Sequence, residues 1–214
     1  MASALLAAAS PDLFEGLPAK RASLLRSALD LFVERGFEAT SVPQVARRAR
    51  VATGTIYLHF RSKDDLVNAL LVHLRTRITA QLQAALASAE GVRAQFDAAW
   101  GVFARYVLEQ PRAVAFCDLH HHAPYLSAAT TAAWEPARRL LEAHLRAGRR
   151  ARVYRDEPEA VLRALFAGPL IALAKFARMG ELSLTPAVLA AAADSVWAGL
   201  ARPASRRTSR ESRA

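Results

Sequence analysis

Cysteine is nearly missing. Cys117 is the single one among 214 residues, so no disulfide can close within the chain and a reducing compartment fits best. Glycine numbers nine and forms neither G-x-G-x-x-G nor a Walker loop, so no nucleotide cofactor is expected. No uncharged apolar run approaches the roughly 18 residues of a membrane span. The run Leu5-Leu6-Ala7-Ala8-Ala9 lacks a basic flank before it, which makes it a poor signal peptide. A cytoplasmic protein without a membrane role is expected. Strand-like alternation is also absent, and no Ser/His/Asp arrangement has motif context. The chain is not expected to be an enzyme.

What is present is hydrophobic mass and positive charge. Hydrophobic residues make up 53% and charged residues 22%, which argues against a disordered chain. Basic residues number 29 against 19 acidic ones, a net +10, and only Lys20, Lys63 and Lys175 are lysines. An excess of this sign favours a polyanionic partner. It gathers at Arg47, Arg48, Arg50, Arg61 and Lys63, again at Arg146 to Arg155, and in the tail from Arg202 to Arg213.

The spacing predicts an all-α chain. Residues 1–18 read as a flexible arm. Leu24, Leu25, Ala28, Leu29 and Phe32 share one helical face, and Gly36 stops that helix. Ser41 and Gln44 form a capping box with Pro43 in the first turn, opening a short helix with Val45, Ala46 and Ala49 inward. A tight turn at Arg50 leads to a third helix from about Thr53 to Phe60. Ser62 and Asp65 open a long helix carrying Leu66, Leu70, Leu74 and Ile78. One helix is expected from Pro124 to Gly148 and an exposed basic loop at 149–155. Helices over 158–179 and 186–200 follow, with a disordered basic tail over 203–214.

Two short helices joined by a tight turn and braced by a preceding helix make a helix-turn-helix, whose second member enters the major groove. The run Thr53-Gly54-Thr55-Ile56-Tyr57-Leu58-His59-Phe60-Arg61-Ser62-Lys63-Asp64-Asp65-Leu66, with Ala28 to Phe32 and Gly36 to Val42 before it, resembles the DNA-binding domain of the TetR family of bacterial regulators. The resemblance covers about residues 20–66. It implies a DNA-binding domain at 19–66, and a helical ligand-binding and dimerisation domain at 67–202. It also implies a homodimer on a palindromic DNA operator, and repression relieved by a small molecule. By the same resemblance Thr40 and Ser41 contact phosphate. Thr53, Gly54 and Thr55 read bases, while Tyr57, His59 and Lys63 hold the backbone. Val42, Ile56 and Phe60 fall to the core. The chain departs from the family at Arg50, where glycine is usual, and at Ala52, where a serine cap is usual. Arg50 is expected to add a phosphate contact.

Beyond residue 66 the resemblance implies an effector site, although aromatics at helical spacing are more often core. Phe96, Trp100, Phe103, Phe116, Tyr125 and Trp134 are the candidate walls. Tyr106, Cys117 and His121 are the candidate polar groups. The run His120-His121-His122 beside Asp118 raises the alternative of a metal. Consecutive helical residues diverge by about 100° and cannot converge on one ion, so no metal is expected and the effector should be a small, largely apolar organic molecule. The stretch 161–174 is apolar apart from Arg163, and a second subunit would cover it. Leu162, Leu165, Phe166, Pro169, Leu173, Val188 and Val196 are the expected dimer interface. A transcriptional activator of the same family, or more remotely a helical enzyme or adaptor, stands as the alternative. The run from Thr53 to Leu66 separates them, since it has no catalytic meaning.

Overall fold

The computed structural model describes residues 12–120 and 123–203. Among these the chain is all-α, with one isolated bridge between Tyr154 and Ala201. The helices α1 (Ala19–Arg35), α2 (Val42–Arg48) and α3 (Thr53–Tyr57) form the N-terminal unit. Gly36 adopts φ 80 and its N–H donates to the Phe32 carbonyl, which ends α1. Ser41 N–H donates to Gln44 Oε1 at 2.8 Å, so the expected capping box is formed. Arg50 sits at φ 57, a left-handed conformation that costs a residue with a Cβ roughly 1–2 kcal/mol. Ala52 supplies α3 no side-chain cap. The helix closes at Tyr57, earlier than expected. The N–H groups of His59 and Phe60 still reach the Ile56 carbonyl.

α4 (Lys63–Ala87) opens where the Ser62 hydroxyl accepts the Asp65 N–H at 3.0 Å. It is followed by α5 (Val92–Glu109), α6 (Pro111–Leu119), α7 (Ala128–Ala132), α8 (Glu135–Arg150), α9 (Glu159–Arg178) and α10 (Pro186–Leu200). The single helix expected before Gly148 is two. Ser127 caps α7, the chain turns at Ala133, and Pro136 lies in the first turn of α8. α8 also runs past Gly148. The glycine serves packing instead, because a Cβ there would stand 2.1 Å from the Tyr154 ring. Tyr154 itself is buried, and its hydroxyl meets His144 Nε2 at 2.7 Å. The basic segment after α8 is therefore no uniformly exposed loop.

Two cores result. The first joins α1, α2 and α3 to α4, Tyr106 of α5 and α6, through Leu24, Phe32, Ile56, Phe60, Leu70 and Phe116. The second joins Leu82 of α4 to α5, α8, α9 and α10, through Phe96, Trp100, Leu145, Phe166 and Leu189. Residues 12–18, expected as part of a mobile arm, include a packed segment. Leu13 and Phe14 are buried, and Phe14 stacks on His73 at 5.4 Å. Arg77 donates to the Asp12 carbonyl at 3.0 Å, while Arg26 pairs with the Asp12 carboxylate. Residues 1–11 of that arm and 204–214 of the tail lie outside the described residues.

α9 is long and apolar, interrupted by Arg163 and Lys175. By length and composition it could cross a membrane, and only 17% of its apolar window is buried. Arg163 interrupts the run without lowering its mean hydropathy enough. Leu162, Phe166 and Leu170 face inward, whereas Val161, Leu165, Ile171 and Phe176 are exposed.

Candidate nucleic-acid interface and regulatory core

α3 has one buried residue, Ile56, and turns the rest of its surface outward. Thr53 and Gly54 are exposed, Thr55 and His59 half-buried. Tyr57 is 50% exposed and Leu58 84%. A Cβ on Gly54 would meet nothing within 4 Å, so no contact inside the chain requires glycine there. Leu58 was not among the expected contacts. Its position between the inward Ile56 and Phe60 was the available signal, since a leucine off the buried period is left facing out.

The basic residues around α3 divide. Arg47, Arg50 and Arg61 are exposed and form no ion pair among the described residues. Arg48 is engaged, with Nη1 on Glu34 at 2.9 Å and Nη2 on Asp30 at 3.5 Å. Lys63 Nζ donates to the Phe37 carbonyl at 2.9 Å and lies 4.0 Å from that ring's centre. It pins the α1–α2 loop to the start of α4. Ser41 is exposed, but Thr40 needs correction as a phosphate contact. It is 1% exposed, and its hydroxyl lies 2.8 Å from the Gly36 carbonyl and 3.2 Å from that of Leu31. The side chain closes the loop internally and cannot present its hydroxyl outward.

α6 fastens this unit to the rest. Arg112 pairs with Asp30 and with Glu34 on α1. Phe116 stacks on Phe32 at 5.9 Å. His120, 3% exposed, lies against Phe116 at 4.4 Å and contacts Phe32, Phe37 and the Tyr125 hydroxyl. Burial pushes the His120 imidazole below its usual pKa, which favours the neutral ring. Tyr125 stacks on Phe37 at 4.1 Å.

The candidate effector residues do not form one wall. Phe96 and Trp100 are buried against Phe166 in the second core, and the Trp100 indole N–H donates to the Leu189 carbonyl at 3.1 Å. Phe103 packs on Phe166, and Trp134 touches both cores. Phe116 and Tyr125 belong to the seam with α1. Buried Tyr106 and half-buried Cys117 do share a region, and they share it with Arg75, which was not expected. Arg75 is 7% exposed, and its Nη1 donates to the Thr130 carbonyl at 2.5 Å. Desolvation lowers its pKa, and its charge acts on Cys117. Burial pushes the Cys117 thiol up to about 11 and the Tyr106 phenol up to about 12. The Tyr106 hydroxyl is buried without a hydrogen-bond partner. Arg75 had a signal in the sequence, four residues after Leu71 and three before Ile78, on the buried stripe of α4.

The histidine run divides as well. His120 serves the seam with α1, and Asp118 is exposed, with Arg178 Nη2 at 3.3 Å. His121 and His122 lie outside the described residues. Among the described residues no three His, Cys, Asp or Glu side chains gather as a metal site would require.

The expected interface set needs sorting. Leu162 and Phe166 are fully buried in the second core and cannot meet another subunit. Leu165, Pro169, Leu173 and Val196 instead line an apolar groove of about 470 Å3 between α9 and α10, with Phe176 and Gly199. Val188 is half-buried and off that groove.

Residues 24–70 match the family described as bacterial regulatory proteins, tetR family, and residues 72–201 match the tetracyclin repressor-like C-terminal domain. The chain is 41% identical over 88 residues to the transcriptional repressor Rv3405c of Mycobacterium tuberculosis, covering 41% of this chain and 46% of that protein. It is 42% identical over 52 residues to the repressor KstR2 of the same species, covering 24% of this chain and 26% of that protein. The aligned part thus spans about half the length, or less, of these curated relatives. A TetR family transcription regulator from Marinobacter aquaeolei superposes with a TM-score of 0.77 at 20% identity, covering 86% of this chain and 97% of that one. At that identity the likeness is one of fold.

Proposed function

This chain belongs to the TetR family of bacterial regulatory proteins, and we propose that it is a homodimeric repressor that binds a palindromic operator and is released by a small organic effector. The observation that carries the reading is the surface of α3. A helix that buries only Ile56 presents Thr53, Gly54, Tyr57 and Leu58, ringed by Arg47, Arg50 and Arg61. Bare backbone at Gly54 admits close approach to base edges. Thr53 and Thr55 are the base readers, and Leu58 suits a thymine methyl. Tyr57, His59 and Ser41 hold the backbone, with the unpaired arginines as counter-charge. Lys63 positions the α1–α2 loop and contributes its charge at the start of α4.

The second subunit covers the groove between α9 and α10. Leu165 and Phe176 are exposed apolar residues of that groove, and Val161 and Ile171 are exposed elsewhere on α9, a surface that suits a partner better than water. The effector enters among α4, α5, α6 and α7. Cys117 and Arg112 sit on the same short helix, so a shift of α6 at the effector moves its ion pairs on α1. That shift changes the separation of the two recognition helices, which must meet major-groove faces about 34–36 Å apart or a multiple of that. A protein of this kind works beside the chromosome, in the cytoplasm.

The test is selection of bound duplexes from random DNA by the purified protein. A two-fold symmetric motif is expected. Thr55→Ala should change the preferred motif, and Arg47→Ala should weaken all sequences alike and reduce the salt dependence by roughly one ion. Selection that returns no motif, or a motif without symmetry, overturns the reading.

A further inference from the structure

We propose that Arg75 and Tyr106 form the recognition point for a carboxylate, so that the effector is an organic acid with an otherwise apolar body. This rests on the reading of the chain as an effector-controlled regulator and narrows the effector's chemistry.

The argument starts from an unbalanced charge. An arginine that is 7% exposed would ordinarily be paired, because a buried cation without a counter-ion is costly. Arg75 has no carboxylate within 4.0 Å among the described residues, and its side chain makes one hydrogen bond there, to the Thr130 carbonyl. One hydrogen bond to an uncharged carbonyl leaves most of the guanidinium's donors unused and its charge unbalanced. A guanidinium has five N–H donors in a planar fork, and a carboxylate fills that fork with two parallel bonds. The ionisable group that interacts with Arg75 is the Cys117 thiol, which burial keeps protonated. It is no counter-ion.

A second, independent observation concerns Tyr106 on α5. The Tyr106 hydroxyl is fully buried and has no hydrogen-bond partner. Such groups are rare in native structures and mark a place for water or a ligand. A phenol kept protonated by burial can only help an anion by donating to it. Arg77, two residues from Arg75 on α4, adds positive potential at the same hydroxyl. Tyr106 and Cys117 pack in the first core with Leu74 and Ile78, which flank Arg75 on α4, and Cys117 interacts with both Arg75 and Tyr106, which brings the buried cation and the unused donor to one region between α4, α5 and α6.

The surroundings suit an apolar body. Phe116 and Trp134 belong to or border the first core alongside Tyr106. The side of α7 that carries Thr130 is held to α4 by Asn68, whose Oδ1 accepts from Thr130 at 2.6 Å and from Ser127 at 2.8 Å. The carbonyl that orients Arg75 is thus itself fixed. Arg77 engages its guanidinium with the Asp12 and Glu15 carbonyls, so one open guanidinium and one hydroxyl remain, which match a single carboxylate better than a phosphate.

The experiment uses the full-length protein and matched pairs of probes: octanoate against octanol, and 4-phenylbutyrate against 4-phenylbutanol, at fixed ionic strength. Binding is read by calorimetry and by the rise in melting temperature. Release is read on the DNA selected above. At least one acid should bind ten-fold or more tightly than its alcohol. Arg75→Met should abolish that preference, and Tyr106→Phe, which breaks no hydrogen bond in the ligand-free protein, should weaken the acid about fivefold. If Arg75→Met does not fold, Tyr106→Phe alone decides. No binding by either acid, equal binding of acid and alcohol, or acid binding unchanged in Tyr106→Phe overturns the proposal. These outcomes are separable from failure of the repressor reading. A protein that selects a symmetric motif but ignores both acids refutes only the carboxylate site. One that binds an acid through Arg75 but selects no DNA refutes only the repressor.

Discussion

The two cores are unlike in what they join. The first packs the helix-turn-helix directly on α4 and α6, so the expected division at residues 66 and 67 falls inside one apolar cluster. The second holds α5, α8, α9 and α10 and has no residue from the DNA-binding helices. α4 and α5 run through both. The covalent boundary of a domain and its mechanical boundary differ here. A disturbance beside Tyr106 or Cys117 already touches the cluster that contains Ile56 and Phe60, and no linker has to bend to pass it on.

The sharpest way to break this comparison is to excavate each core separately. Phe116→Ala in the first and Phe166→Ala in the second should each cost about 3–5 kcal/mol. Because two helices traverse both cores, each variant should show one calorimetric transition at a lower temperature. Two separated transitions would mean the cores are independent units.

Protonation should disturb both cores, through His120 in the first and His144 in the second. His144 in the second core is 4% exposed and donates to or accepts from Tyr154 and Gln95. Burial pushes its imidazole down to about 4, from an ordinary 6.5. Between those values the unfolded chain binds more protons than the folded one. The stabilisation is therefore complete above about pH 6.5 and is lost as pH falls toward 4, by an amount on the order of 3 kcal/mol. Urea midpoints measured from pH 7 to 4.5 should fall, and His144→Gln should flatten the slope.

Gly148→Ala should follow at about 1–3 kcal/mol, because the added methyl overlaps the Tyr154 ring. Removing the ring in Tyr154→Leu should make that cost less than additive in a double-mutant cycle, and simple additivity would show that the clash is relieved elsewhere. The smallest stability effect belongs to Arg112→Gln. Its pairs with Asp30 and Glu34 are half-exposed and worth about 1 kcal/mol or less. Operator affinity should nevertheless shift by roughly threefold if these pairs couple α6 to α1. An unchanged affinity would leave the aromatic seam of Phe32, Phe116 and His120 as the coupling.

Local chemistry decided what the sequence revealed. Gly36, Ser41, Pro43, Gln44 and Ser62 act within a few residues of themselves, so the starts and stops of α1, α2 and α4 could be read directly. Inward residues of amphipathic helices, such as Leu24, Phe32, Ile56 and Phe60, were equally legible. α9 was not. A helix apolar on nearly every side has no polar face to orient it, so Phe166 was assigned to the interface and lies in the core. Thr40 was matched to a family contact, but its hydroxyl serves the loop behind it. Arg75 escaped because arginine is read as a surface residue, and only tertiary packing encloses it. Tyr154 was hidden by the arginines on either side of it.

Two arginines, Arg50 and Arg152, are held at φ 57. Each gives up folding free energy that a glycine would retain, a concession natural chains tolerate while total stability stays above the threshold for function. Arg152 closes the turn after α8, away from α3; Arg50 stands at the turn into it. Replacing each by glycine forms a matched pair. Both variants should gain roughly 1 kcal/mol from relieved strain, while only Arg50→Gly should give up affinity for DNA. The turn into α3 would then be a position where durability has been exchanged for contact, in an amount that can be measured.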